Sequence, residues 1–184
     1  MSNIHILPSE DAELCPNFMD FGTSEKRFGR ISWSQKIGTP FYHIYFKLFK
    51  VNDEGEMRKY QQVYIGKEEF KRFCIVKSST LNDAQSIDGL KELKINGNAS
   101  WSGSDMEQEL SLCHSVVDLE HNGNRRVSLT IKRYDMKDVN STYIQLRLFL
   151  SNQQFACVNY KLSEFADLVK VLNETNIVGK CNIL

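Results

Sequence analysis

The sequence predicts an α+β protein in which one ββββα unit is used twice in tandem. Three observations carry this expectation. Arg30-Ile31-Ser32-Trp33-Ser34-Gln35-Lys36 lies over Arg126-Val127-Ser128-Leu129-Thr130-Ile131-Lys132, and His43-Ile44-Tyr45-Phe46-Lys47-Leu48-Phe49 lies over Tyr143-Ile144-Gln145-Leu146-Arg147-Leu148-Phe149 at nearly the same spacing. These segments alternate apolar with polar side chains, the period of two that marks a strand with one face on a core. Each copy ends in an apolar stripe at i, i+3 and i+4, the mark of a helix.

In chain order, residues 1–17 are expected to form an acidic, weakly ordered arm. Glu10, Asp11 and Glu13 stand where a secretory signal would need a basic start and an apolar stretch. The first unit is expected over residues 18–80. Phe18 to Phe21 supplies its first strand, Ile31 and Trp33 mark the second, and Tyr42, Ile44, Phe46 and Leu48 mark the third. Asn52-Asp53-Glu54-Gly55 turns the chain into a fourth strand, about Arg58 to Ile65. A helix starts near Lys67 with Phe70, Phe73 and Cys74 on its apolar face. Residues 81–112, rich in Asn, Asp, Gly and Ser, read as a connector with a short strand at Leu93 to Ile95. Trp101 in that stretch is either a hydrophobic plug over the core or a stacking platform.

The second unit is expected over residues 113–176. Val116 to Leu119 leads through Asn122-Gly123-Asn124, a strong hairpin signal, into Val127, Leu129 and Ile131. Ile144, Leu146, Leu148 and Leu150 form the next strand, and Ser151 to Gln153 turn into Phe155 to Leu162. Ser163 is the expected N-cap of a helix carrying Phe165, Leu168, Val169 and Leu172. Residues 177–184 form a tail.

A chain of 184 residues buries roughly 70% of its extended surface, enough for a substantial core. No run approaches the length of about 18 apolar residues that a membrane-spanning helix needs. Twenty-three basic and 23 acidic residues cancel, which argues against bulk coating of nucleic acid, so any polyanion site must be local. Cys15, Cys74, Cys113, Cys157 and Cys181 are odd in number, scattered and free of zinc-type spacing, which points to a reducing intracellular compartment. His5, His43, His114 and His121 recruit no triad or ligand set, and no phosphate loop is present. The expectation is a protein with no catalytic residues, no metal and no cofactor.

The outward strand faces are aromatic and basic. Tyr45, Lys47 and Phe49, with Tyr143, Arg147 and Phe149, share the face opposite the aliphatic one, and Arg30, Lys36, Arg126 and Lys132 extend it. Exposed aromatics stack on unpaired bases at about 1–3 kcal/mol per base, and neighbouring Lys and Arg neutralise phosphates. The same residue types also stabilise an ordinary sheet face or pack under a second layer.

Leu48-Phe49-Lys50-Val51, Asn52-Asp53-Glu54-Gly55-Glu56-Met57, Val63-Tyr64-Ile65 and Glu68-Glu69-Phe70, preceded by Arg30-Ile31-Ser32-Trp33, resemble the single-stranded-DNA-binding transcriptional coactivators of the positive-cofactor-four type. The likeness covers about Phe21 to Cys74. It implies curved antiparallel sheets, each backed by a helix, with two units paired through their helices. Two units in one chain would form an intramolecular pseudo-dimer, similar to the tandem repeats of PUR proteins. The resemblance also implies binding roles for Lys47, Phe49 and Arg58. Lys50, Ile37, Tyr60 and Gln61 depart from the family, which has aromatics at the first two positions and a basic pair at the last two.

The function expected is single-stranded nucleic-acid binding, of DNA with RNA as the other candidate, in transcription, replication or repair. Partners would then include proteins of those machineries, in the nucleus for a eukaryotic or viral protein. The competing expectation is a protein-interaction or homodimerisation module that kept the fold and lost the ligand. A membrane partner is not expected.

Overall fold

Alternation builds the strands where the sequence expects them. The computed structural model describes residues 17–22, 24, 26–35, 42–86, 99–101, 113–135 and 137–175. Strands β1 (Asn17–Phe21), β2 (Arg27–Gln35), β3 (Tyr42–Val51) and β4 (Met57–Ile65) form one antiparallel sheet in chain order, followed by helix α1 (Lys67–Gln85). Strands β5 (Ala99–Trp101), β6 (Cys113–Asn122), β7 (Arg125–Arg133), β8 (Thr142–Leu150) and β9 (Gln153–Lys161) form a second sheet, followed by helix α2 (Leu162–Glu174). Each unit is therefore a meander of antiparallel strands with a helix at its end. No described helix is long and apolar enough to cross a membrane.

Three details differ from expectation. The second sheet has a fifth strand because β5, in the stretch read as connector, pairs with the start of β6; the strand expected at Leu93 to Ile95 lies outside the described residues. Helix α1 runs on to Gln85 because Val76, Thr80 and Ala84 are buried at i, i+4 and i+8. The Ala84 carbonyl, in its last turn, accepts a 2.6 Å hydrogen bond from Arg133 Nη2. Ser163 lies inside the first turn of α2 and is not its N-cap. Lys161 is the cap, and its N–H donates to Glu164 Oε1 at 2.8 Å, so a carboxylate three residues in does what a cap side chain would do. Glu69 repeats this for the Gly66 N–H of α1, also at 2.8 Å.

The register gives the true repeat. The β3–β4 and β8–β9 pairings slip at the same place, between Leu48 and Phe49 in one sheet and between Leu148 and Phe149 in the other. Strands β3 and β8 are therefore equivalent as the sequence match has them. In the preceding strands Arg30 stands opposite Lys47, but Ser128, not Arg126, stands opposite Arg147. The structural match lies two residues beyond the sequence match. A slip of two leaves every side chain on its original face, so alternation alone cannot detect it.

Ile31, Trp33, Ile44, Phe46, Leu48, Val63 and Ile65 of the first sheet share one core with Val127, Leu129, Ile131, Ile144, Leu146, Leu148 and Val158 of the second. Phe73 of α1 meets Phe165 of α2 edge to face at 6.2 Å, and Phe21 meets Tyr160 at 5.5 Å. Phe21 also lies so close over Gly29 that a Cβ there would come within 2.4 Å of its ring.

Two ion pairs join the units reciprocally. Arg27 Nε and Nη2 each donate to Glu164 at 2.8 Å, and Nη2 also donates to the Asn159 carbonyl at 3.0 Å. Arg125 Nε and Nη2 donate to Glu69 at 2.8 and 3.0 Å, and Nη2 to the Tyr64 carbonyl at 3.4 Å. Arg27 opens β2 and Arg125 opens β7, and each grips the helix start of the other unit. The carboxylate it holds is the one that already caps that helix.

Candidate nucleic-acid interface

On the first sheet, the face opposite the core is closed around three of the expected residues. Arg30, Lys47 and Phe49 are 0, 2 and 1% exposed. The Arg30 guanidinium lies 3.5 Å from the centre of the Phe18 ring and its Nε donates to Asp20 Oδ1 at 2.7 Å. Phe49 stacks on buried Phe28 with centroids 4.8 Å apart and planes 3° from parallel. These three residues, expected on an open binding face, are instead packed within the chain. Part of the cover is β1, whose Phe18 and Asp20 lie beside β2 in register with Ser32 and Arg30.

On the second sheet the corresponding face is partly open. Arg126, Lys132, Tyr143, Arg147 and Phe149 all keep some solvent exposure. Arg126 stands opposite Phe149, Ser128 opposite Arg147, Thr130 opposite Gln145 and Lys132 opposite Tyr143. The Arg147 and Arg126 guanidinium groups lie 4.7 and 5.5 Å from the centre of the Phe149 ring, within cation–π range. Arg126 also pairs with exposed Asp118 at 2.8 Å, and Arg147 Nε donates to Gln154 at 3.0 Å.

This face continues into a cleft of about 380 Å³ lined by Arg27, Lys50, Tyr60, Gln61, Tyr134, Tyr143, Gln145 and Asn159. The cleft forms where the hairpin end of β3 and β4 meets the outer face of β8 and β9. The Lys50 Nζ lies 3.6 Å from the Tyr60 ring centre, and the Lys132 Nζ 5.3 Å from that of Tyr134. Tyr134 and Tyr143 meet edge to face at 5.6 Å. Gln145 Nε2 donates to Asn159 Oδ1 at 2.5 Å, and the Asn159 N–H donates to Gln61 Oε1 at 2.8 Å. Beside them burial pushes the Cys157 thiol pKa up, while the positive charges of Arg147 and Lys132 pull it down.

A related aromatic group lies at the other junction between the units. His43, Tyr45 and Tyr64 have ring centroids 5.4–6.3 Å apart, and the Arg125 guanidinium lies 5.7 Å from the Tyr64 ring centre. Tyr45 thus belongs to an aromatic cluster and not to a row with Phe49. Arg58 is exposed at the hairpin and donates to Glu56 at 2.9 Å. That bond, with one from Asn52, holds the Glu56 carboxyl below its usual pKa. Lys36 lies outside the described residues.

Of the residues expected to bind, Lys132, Tyr143, Arg147, Phe149 and Arg126 come together. Arg30, Lys47 and Phe49 are withdrawn from solvent. Arg27, Gln61, Tyr134, Gln145 and Asn159 of the cleft were not singled out as binding residues. The available signals were Lys50, Tyr60 and Gln61, which break the family pattern at the positions that form the cleft, and Tyr134, which directly follows Lys132-Arg133. No protein-family model matches the chain, and no curated protein matches it significantly.

Proposed function

We propose that this protein binds single-stranded nucleic acid, DNA in the first instance, along the outer face of the second sheet and into the adjoining cleft. The observation that supports this best is the continuity of aromatic and basic groups, from Phe149 between Arg126 and Arg147 to Tyr143, Tyr134 and Tyr60 with Lys132 and Lys50 beside them. Tyrosine and phenylalanine rings stack bases irrespective of sequence, while arginine and lysine hold phosphates. The proposed activity is binding without catalysis, serving transcription, replication or repair. Within this reading the two units act as an intramolecular pseudo-dimer of the positive-cofactor-four type. The reciprocal Arg27–Glu164 and Arg125–Glu69 pairs support that arrangement.

Fluorescence anisotropy of a labelled single-stranded oligonucleotide at two salt concentrations tests the proposal. Binding should weaken as salt rises, with a log–log slope of about −0.7 per phosphate neutralised. Absence of binding at low salt overturns it. The withdrawal of Arg30, Lys47 and Phe49 from solvent leaves a second reading, an interaction or homodimerisation module that kept the fold and lost the ligand. Such a module would bind no oligonucleotide and would show a dimer mass in solution.

A further inference from the structure

We propose that a groove between α1 and the open edge of β6 takes an extended peptide of a partner protein as an added strand. The proposal is independent of the single-strand reading, and either can fail alone.

Strand β6 outruns its neighbour. β5 pairs only with Cys113, His114 and Ser115, so from Val116 onward the edge of β6 has no paired strand among the described residues. In an antiparallel sheet alternate residues turn both N–H and C=O to the same side. The run from Val116 to Asp118, which ends at a register slip, therefore presents backbone donors and acceptors that an added strand satisfies in order.

The facing wall is a stripe of α1. Arg72, Val76, Ser79 and Asp83 follow one another at i, i+4, i+7 and i+11, on one helix face, and with Thr80, β6 and Ile131 they line a groove of about 460 Å³. From Arg72 to Asp83 is about 16 Å at 1.5 Å per residue, the length of about five extended residues. Counted from the capping residues Glu69 and Glu164, α2 ends where α1 reaches Ser79, so the end of this wall has no counterpart in the other unit. Thr80 supplies a second sign of a ligand. It is 3% exposed, it lines the groove, and its Oγ1 has no hydrogen-bond partner; a hydroxyl can donate to or accept from a peptide backbone.

The geometry also gives the polarity and the charge of the peptide. Arg133 stands opposite Cys113 and donates to the Ala84 carbonyl, so the end of α1 lies at the β5 end of β6 and Arg72 lies toward Asp118. A strand continuing the line of β5, antiparallel to β6, enters beside Arg72 and leaves beside Asp83. Asp118 is engaged by Arg126, whereas Arg72 is exposed. The fitting peptide thus carries Asp or Glu toward its amino end, followed by β-branched residues that extend readily and pack against Val76 and Val117.

Panning a phage-displayed library of random dodecapeptides against the full chain tests the proposal. Enriched peptides should share an acidic residue followed by a β-branched stretch. In a synthetic copy of the best one, methylating one alternate set of backbone nitrogens should cost at least about tenfold in affinity and methylating the other set little, because only one set faces β6. Arg72→Glu should weaken the acidic peptide about tenfold, by turning attraction into repulsion. Thr80→Val should weaken it while leaving the melting temperature of the free protein no lower, since the hydroxyl makes no bond there. If Thr80→Val does not fold, Arg72→Glu, at an exposed position, carries the test. No enrichment, equal loss from both methylated sets, or an affinity unmoved by Arg72→Glu each overturns the proposal. A dimer mass of the free chain that Arg72→Glu abolishes assigns the groove to a second copy and overturns the partner peptide.

Discussion

The outer faces of the two sheets share a strand register and a slip at the same rung, yet one is packed shut and the other is partly open. The difference lies in which rung carries the arginine. In the first sheet Phe28 stands opposite Phe49 and Arg30 opposite Lys47; in the second Arg126 stands opposite Phe149 and Ser128 opposite Arg147. Arg30 is thus one rung further into its sheet, where its charge is held by Asp20 and its planar face is covered by Phe18. Arg126 sits at the strand end with an exposed partner. A shift of one cross-strand rung turns an arginine from a structural ion-pair member into a surface group able to meet a phosphate.

The largest effects should come from treating the sequence-matched arginines and the register-matched phenylalanines alike. Arg30→Ala should cost about 3 kcal/mol, because it empties a fully buried site packed against Phe18 and breaks the bond to Asp20. Arg126→Ala, which breaks an exposed pair, should cost at most about 1 kcal/mol. Phe49→Ala, at a fully packed site, should cost about 3–5 kcal/mol. Urea denaturation of the four variants, Phe149→Ala included, measures the contrast. If Arg126→Ala and Phe149→Ala destabilise as much as their counterparts, the two faces are not different in kind.

Much of this architecture was legible in the sequence, and the limits have physical causes. Alternation from Ile44 to Leu48 and from Ile144 to Leu148 places the inner faces correctly, because burial forces period two on a half-buried strand. The same period is blind to a slip of two, which is why Arg30 appeared to match Arg126. Burial of the outer face of the first sheet was hidden too, since a run of Arg, Lys and aromatic residues is usually solvated and its partners here, Phe18 and Asp20, lie on another strand. The cleft was least legible. Gln61 and Asn159 meet only when the two units pack, and no local pattern encodes that contact.

A second contrast concerns the reciprocal ion pairs. Glu164→Gln and Glu69→Gln should each destabilise by about 2–3 kcal/mol, less than a fully buried pair because both arginines keep some contact with water. Glu164→Gln should be the worse of the two. Arg27 is more buried than Arg125, and its bond to the Asn159 carbonyl is 3.0 Å against 3.4 Å for the Arg125 bond to Tyr64. Thermal melting ranks them, and a reversed order would mean that the units are not held as the geometry indicates.

Binding should then separate the faces without disturbing the fold. Phe149→Ala should weaken oligonucleotide affinity by about 1–3 kcal/mol, the worth of one stacked base. Arg147→Ala should reduce the magnitude of the salt slope by about 0.7 if it holds one phosphate. Anisotropy titrations across salt measure both. An unchanged slope for Arg147→Ala would remove the open face of the second sheet from the binding path.

The smallest effect concerns Tyr160, which stands where the first unit has Ile65 and reaches across the unit boundary to the Lys47 carbonyl at 3.5 Å. Burial, reinforced by Glu164 and opposed by Arg27, raises its phenol pKa well above the usual 10. Below the unfolded value, folded and unfolded phenols are both neutral and this group's contribution is fully present. Above pH 10 the unfolded phenol ionises first, so stability falls by about 1.4 kcal/mol per pH unit until the folded value is reached. Tyr160→Phe should remove this group's share of the alkaline loss, while changing neutral-pH stability by no more than about 1 kcal/mol, since the hydrogen bond it deletes is long. Urea denaturation from pH 7 to 11 reads both quantities. An unchanged alkaline slope would show that the phenol ionises in the folded protein, and that the junction beneath the closed face admits water.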